Sequence, residues 1–354
     1  MNRRPLSAPP RPRPWRRLRG AARPGPRRTR VLLVTPLDPA PRPDTDLGAV
    51  ARDLTRSLRA RWDVVHAPIA GLGDLELALH ELRPDVVFNA CESLGGRSAD
   101  EPLVPLLLEE LGAPFTGSSS RCLRLCLDKS AASSALARAG VLVPATYRVG
   151  AGVDASAFPL IVKPEREDGS VGVDADSVVH DEPSLARKVA ALAAEGRPAI
   201  VQEYVDGREI SLSLLGGEPA RVLSPGEIVY DERAFSGRAR ILTYASKWDE
   251  SSVDYVSTRS VAAALTPELH RRLATHARRA AAALGIRDYG RIDFRVDRAG
   301  RAFVIDANPN CDLSLDGGFM LAANRAGLDH EQVLAALVTG ALARAAARER
   351  SMTG

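Results

Sequence analysis

Gly290-Arg291-Ile292-Asp293-Phe294-Arg295-Val296 and Ala302-Phe303-Val304-Ile305-Asp306, followed at once by Ala307-Asn308, decide the reading of this chain. In both runs the acid is embedded among apolar residues, many of them branched or aromatic. The polar turn Asp297-Arg298-Ala299-Gly300 separates them, so they predict a β-hairpin. Side chains in a strand alternate between faces, which sets Asp293 on one side with Arg291 and opposite Ile292 and Phe294. Two carboxylates, Asp293 and Asp306, with the amide oxygen of Asn308, make a donor set suited to Mg2+. That ion prefers hard oxygen ligands and borrows the rest from phosphates and water. A solvated strand face with ordinary aspartates is the plainer reading. Convergence of four polar residues within an otherwise apolar hairpin disfavours it.

Upstream, Pro159-Leu160-Ile161-Val162-Lys163-Pro164 leads to Asp168-Gly169-Ser170-Val171-Gly172. A lysine ending a buried strand offers a compact charge for phosphate oxygens, and a glycine loop lets backbone N–H groups close on them. The stretch is not a P-loop, since GxxxxGK[ST] is absent. Alone it would read as a plain hairpin turn. In Ile200-Val201-Gln202-Glu203-Tyr204-Val205-Asp206-Gly207-Arg208-Glu209 a strand breaks into a short linker. Its free backbone groups suit an adenine edge, and Glu209 suits ribose hydroxyls.

The N-terminal part reads differently. Val31–Val34 is a short apolar run that predicts a buried parallel strand, and Asp46–Arg59 carries a helical stripe at Leu47, Val50, Leu54 and Leu58. A strand at Val64-Val65, a helix near 75–82 and a strand at Val86–Phe88 follow. This alternation predicts a doubly wound α/β domain over residues 30–119, its crevice beyond the strand ends near 35–46 and 89–97. Further on, helices are expected over 128–140, 183–195, 266–284 with Thr266 as cap and Pro267 at the first position, and 330–347.

Eleven arginines and no acidic residue fall in residues 1–30, so the net charge of +4 is a property of the tail, and the rest of the chain is net negative. That Arg/Pro tail (1–29) is expected to be disordered. A nucleic-acid arm is disfavoured because no aromatic interleaving or binding module accompanies it. No apolar run reaches the roughly 18–20 residues of a membrane span, and none has the form of a secretory signal. Cys91, Cys122, Cys126 and Cys311 form no CxxC pair and are expected to be free thiols of a cytoplasmic protein.

Taken in order, FNACESLGG, GAPFTGS, LDKS, PLIVKPEREDGSVGV, VQEYVDGREIS, YASKWD, GRIDF and VIDANPN resemble the D-alanine–D-alanine ligase branch of the ATP-grasp superfamily. The resemblance spans roughly residues 84–345. It implies an α/β ATP-grasp fold of three α/β subdomains, with ATP between the second and third. The chain then divides into a doubly wound domain at 30–119, a central subdomain at 120–198, and a C-terminal subdomain with the metal site at 199–347. By motif, Lys129 and Lys163 would bind the nucleotide phosphates, and Gly169, Ser170 and Val171 would form the lid. Gln202, Glu203, Tyr204 and Val205 would carry the adenine, Glu209 the ribose, and Lys247 the terminal phosphate. Arg291 would stabilise the acyl-phosphate and the tetrahedral centre. Asp293, Asp306 and Asn308 would hold two Mg2+ ions, with Mn2+ as a substitute. Asp306 stands where the family usually has glutamate.

Departures fall on the amino-acid side. The early Gly-Gly-x-Ser-x-Glu loop is missing at Thr35–Pro39. Glu92 replaces the usual histidine, Gly169 the lid serine and Trp248 the usual tyrosine, while Asn310, Asp312 and Ser314 replace a Pro-Gly-Met continuation. Glu92, Asn310, Asp312 and Ser314 are therefore candidates for a different substrate pocket. The expected activity is an ADP-forming carboxylate–amine ligase on amino acids other than two D-alanines. The alternatives are an authentic D-alanine–D-alanine ligase and a non-catalytic ATP-binding sensor. A homodimer is implied by the resemblance alone.

Overall fold

The computed structural model describes residues 28–38, 47–150 and 152–351. Apart from Arg28 and Thr29, the expected basic tail lies outside them, as do residues 39–46 of the expected crevice. Three sheets organise the described chain.

The first is parallel, in the order β2-β1-β3: β1 (Arg30–Pro36), β2 (Asp63–Ile69) and β3 (Val86–Asn89). Helix α1 (Leu47–Arg59) links β1 to β2, and α2 (Leu72–Leu82) links β2 to β3. The uninterrupted apolar run of β1 serves both faces, as a buried parallel strand requires. Val31 and Leu33 pack with Leu54 and Leu58 of α1. Leu32 and Val34 pack with Leu75 and Leu79 of α2 and with α3 (Leu103–Leu111). This is the doubly wound arrangement.

Helices α4 (Ser120–Leu127) and α5 (Lys129–Arg138) follow, and Asp128 caps the second by accepting from the Ala131 N–H at 2.9 Å. The second sheet is antiparallel, β4-β7-β5-β6: β4 (Thr146–Tyr147), β5 (Leu160–Pro164), β6 (Val178–Val179) and β7 (Ala199–Glu203), with α6 (Glu182–Ala194) on one face. Because β7 pairs with β5, the change of sheet comes after Glu203, later than the boundary expected at 198.

The third sheet runs β11-β10-β8-β12-β13, with β9 (Arg221–Val222) beside β8. Its strands are β8 (Arg208–Leu215), β10 (Gly226–Tyr230), β11 (Thr258–Ala262), β12 (Tyr289–Val296) and β13 (Ala302–Asn308). Two short helices, α7 (Tyr244–Trp248) and α8 (Val253–Val256), precede β11. Helix α9 (Pro267–Leu284) starts where its cap predicts, with Thr266 Oγ1 accepting from the Leu269 N–H at 3.2 Å. It packs on Ile292 and Phe294, both fully buried. A one-residue slip of β12 would turn those two toward the other face of the sheet and set the charged Arg291, Asp293 and Arg295 against α9 instead. Each apolar side chain is worth ~2 kcal/mol in burial, so the register is pinned. Helix α10 (Gly318–Arg325) and the closing α11 (His330–Ser351) complete the chain. Val333, Leu334, Leu337 and Val338 of α11 return to pack on Val31 and Phe88, so the last helix covers the first sheet.

Candidate functional site

The two strands of the hairpin place Asp293 directly opposite Asp306 and Arg291 opposite Asn308, so all four share one face. The pairing shifts after Asp293: Phe294 meets Val304, and Ile305 becomes the extra residue of a β-bulge. The bulge lets Val304 stay in the core while Ile305 and Asp306 both reach the cavity on the other side.

That cavity, of about 280 Å3, lies between the second and third sheets. Every residue expected to hold the nucleotide lines it: Lys129, Lys163, Gly169, Ser170, Val171, Gln202, Glu203, Tyr204, Val205, Glu209 and Lys247. Arg291, Asp293 and Asp306 line it too, whereas Asn308 is not among its lining residues.

Strand alternation aims Lys163, since its neighbours Leu160 and Val162 fill the core under the second sheet. Burial depresses its ammonium to a pKa of about 8, with Lys129 adding repulsion and Asp306 opposing both. Lys247, on α7, is lowered by burial and then by Arg291. Burial alone would raise Asp306, but Lys129, Lys163, Arg291 and Lys247 together hold it below the usual carboxylate range. The lysines therefore face a carboxylate that stays ionised. Asp293 is raised by burial against the pull of Arg291. Arg291 grips it with two bonds, Nε to Oδ1 and Nη2 to Oδ2, both 2.8 Å.

The glycine loop folds as two successive turns, Asp168 to Val171 and Ser170 to Val173. Gly169 and Ser170 both adopt positive φ, of 64° and 62°, a conformation unusual for serine. Three bonds hold this loop against the segment carrying Lys247. Ser170 Oγ donates to the Leu242 carbonyl at 2.8 Å, Tyr244 N–H to the Val173 carbonyl at 2.8 Å, and Trp248 Nε1 to the Gly169 carbonyl at 2.7 Å. Gly169 and Trp248, two departures from the family pattern, thus meet each other.

Among the substrate-side candidates, Asn310 is buried. Its amide nitrogen donates to the Cys91 carbonyl at 2.9 Å and to Glu101 Oε1 at 2.6 Å, and its oxygen accepts from Tyr289 Oη at 2.5 Å. Its backbone N–H donates to Asn308 Oδ1 at 2.9 Å. Asn310 therefore ties the loop after β3 to the hairpin of β12 and β13. Asp312 and Ser314 bond to each other, Ser314 Oγ donating to Asp312 Oδ2. Glu92 is exposed, and its charge helps to push the buried Cys311 thiol up, behind burial itself. None of these four lines the cavity.

Glu101 was not singled out in the sequence. Burial pushes its carboxyl well above the usual range despite the Asn310 bond. Arg295 and Tyr230 were also missed; both bond Glu209 Oε2, at 2.7 and 3.1 Å. Arg295 had a signal, because it continues the Arg291–Asp293 alternation by one more step. Tyr230 and Glu101 had none, since only sheet register and loop packing bring them in. Among the described residues no three His, Cys, Asp or Glu side chains group as a metal site. A metal here would thus rest on two carboxylates, an amide and the nucleotide phosphates. The face-to-face Asp293 and Asp306 fit such an ion.

The family model described as D-ala D-ala ligase C-terminus matches residues 145–339, a span that contains both sheets around the cavity. The chain belongs to this family. It is similar to an uncharacterized protein, y4sG, of Sinorhizobium fredii, at 31% identity over 257 residues, covering 70% of this chain and 72% of that one. The D-alanine–D-alanine ligase of Desulforudis audaxviator is 30% identical over 297 residues, covering 81% and 90%. That of Aquifex aeolicus is 27% identical over 273 residues, covering 75% and 86%. Among solved structures, the D-alanine–D-alanine ligase of Bacillus anthracis complexed with ATP superposes with a TM-score of 0.72. Its identity is 20%, with 91% of this chain and all of that one covered. The fold is ATP-grasp, and the protein is an ATP-dependent, ADP-forming ligase of carboxylates and amines, a chemistry that uses ATP and Mg2+. No helix among the described residues is long and apolar enough to cross a membrane.

Proposed function

We propose that this ligase activates a small carboxylic acid as its acyl-phosphate and joins it to the amine of an amino acid or peptide, on substrates other than two D-alanines. The order of side chains along the cavity face of β12 carries the reading. Tyr289, Arg291, Asp293 and Arg295 follow one another at steps of roughly 6.6 Å, two strand residues each. Glu209 stands beside Arg295, and Asp306 opposite Asp293. Taken from Arg295 toward Arg291, that order suits nucleotide sugar, then phosphates, then acyl centre, with Tyr289, Asn310 and Glu101 beyond the acyl end.

The carboxylate oxygen attacks the terminal phosphorus, ADP departs, the amine attacks the acyl carbon, and phosphate leaves as the amide forms. Lys129, Lys163 and Lys247 would hold the phosphates in line, and Arg291 would meet the negative oxygen of each acyl species. The N–H groups of Glu203 and Tyr204 are taken by the carbonyls of Ala145 and Pro159, so Val205 N–H is our choice of hinge donor for the base. Mg2+, held as two ions by Asp293, Asp306 and Asn308 or replaced by Mn2+, would neutralise phosphate charge and polarise the transferred group. We also propose the boundaries 30–119 and 120–203 for the first two subdomains, the second extended to include β7.

A different substrate pair is favoured by the departures of Glu92, Asn310, Asp312 and Ser314 from the family sequence, of which Asn310 shapes the loop after β3 through its bonds to the Cys91 carbonyl and Glu101. The rival, an authentic D-alanine–D-alanine ligase, is favoured by relatives of that name. ADP release with Mg-ATP, across a panel of D- and L-amino acids and small carboxylic acids, separates the two. Stimulation by D-alanine alone would restore the rival, and tight ATP binding with no stimulation would point to a sensor.

A further inference from the structure

The edge of the cavity holds a charged cluster that the reaction scheme leaves unexplained. Three adjacent strands contribute to it. Glu209 of β8 is directly opposite Arg295 of β12 on one side and Ile228 of β10 on the other, and Tyr230 follows Ile228 on the same face. Arg295 is buried and anchored twice more, through Nη1 to the Gly207 carbonyl at 3.0 Å and through Nη2 to the Arg240 carbonyl. The Tyr230 ring is locked edge-on against Phe235, centroids 4.8 Å apart. Both groups converge on the same atom, Glu209 Oε2. Neither bonds Oε1, and Glu209 lines the cavity.

We propose that Arg295 and Tyr230 are positioning residues that clamp one oxygen of the Glu209 carboxylate so that the other meets the ribose hydroxyls of the nucleotide. The inference rests on the reading of this cavity as the ATP site. Its physical basis is that a carboxylate free to rotate pays ordering entropy for each bond, whereas one fixed in advance presents its lone pairs at no further cost. Two donors of different kinds serve this end. The guanidinium holds the charge, and the phenol, kept protonated by burial and by the neighbouring charge of Glu209, fixes the rotation about the side chain. Ribose recognition then depends on residues that act through Glu209.

The test compares binding of ATP, 2′-deoxy-ATP and 3′-deoxy-ATP to the full chain by titration calorimetry, in the wild type and in Tyr230→Phe. The substitution removes only the hydroxyl and retains the ring packing. The wild type should prefer ATP over at least one deoxynucleotide by roughly tenfold or more, the worth of a hydroxyl bonded to a charged group. In Tyr230→Phe that preference should narrow by about threefold, with affinity for the deoxynucleotide unchanged. Arg295→Lys, checked for folding by circular dichroism, should narrow it further. Equal weakening toward all three nucleotides in Tyr230→Phe would mean a purely structural role, and unchanged affinities would mean no role; either overturns the proposal. If the wild type binds ATP without discriminating, the ribose assignment of Glu209 fails and the clamp with it, while the ligase reading stands. Failure to bind ATP at all would remove both.

Discussion

ATP affinity should fall as pH rises through 8, because Lys163 enters the site with an ammonium already weakened. Burial holds its pKa at about 8 in the absence of nucleotide. Phosphate oxygens brought against it favour the charged form, so binding raises that value. A bound state that requires the proton, and a free state that has half lost it at pH 8, together demand uptake of about half a proton at that pH. The apparent dissociation constant should rise about tenfold between pH 7 and pH 9, equivalent to ~1.4 kcal/mol. The phosphates of ATP are already ionised over most of this range and do not mimic the effect. Calorimetric titration in two buffers of different ionisation enthalpy counts the protons directly. Lys163→Arg, whose guanidinium stays charged throughout, should flatten the profile even if it binds more weakly overall. Lys247 is also depressed by burial, so Lys247→Arg serves as the control and should retain most of the slope. A flat wild-type profile, absence of proton uptake, or an unchanged slope in Lys163→Arg would refute the reasoning.

Asp293→Asn should lower ADP release by at least about a thousandfold while the protein stays folded by circular dichroism, since the metal donor set and the charge facing Arg291 are both lost. Asp293→Ala should in addition destabilise by ~3–5 kcal/mol in chemical denaturation, because it strands a largely buried guanidinium. Asn310→Ala should cost about 1–3 kcal/mol by leaving Glu101 and the Cys91 carbonyl without their donor; a melting temperature equal to the wild type would contradict the hub role. Gly207→Ala should cripple nucleotide binding, because the new Cβ would lie 2.1 Å from the Val296 carbonyl oxygen and displace the start of β8 that carries Glu209. Wild-type ATP affinity in that variant would show that the start of the strand can move freely.

What could be read from the sequence, and what could not, follows from how local each signal is. Arg291 and Asp293 were legible as face-mates because a strand period of two fixes their side before any partner is known, whereas Asp306 and Asn308 were legible only as oxygen donors and reach that face through the bulge. Thr266 was legible because a cap acts within three residues. The bulge at Ile305 was not, since alternation looks the same with or without an extra residue until the partner strand is placed. The change of sheet after Glu203 escaped for a related reason: β7 reads as a strand, but its pairing with β5 is a contact between segments far apart in sequence.

The residues missed around the site share one property: each acts by holding another residue. Arg295 and Tyr230 hold Glu209, while Glu101 and Tyr289 hold Asn310, and Asn310 in turn holds Asn308. A motif records the groups that chemistry requires at a spacing. Supporting contacts arise from sheet order and from loops meeting across the cavity, where many residue types could serve. On the proposed reading, substrate choice would fall to the end of the site beyond Arg291, where such loop contacts join Cys91, Glu101 and Asn310. For that reason the motifs specify the reaction far more closely than the compounds it joins, and a substrate panel will inform more than a longer reading of the ATP-binding residues.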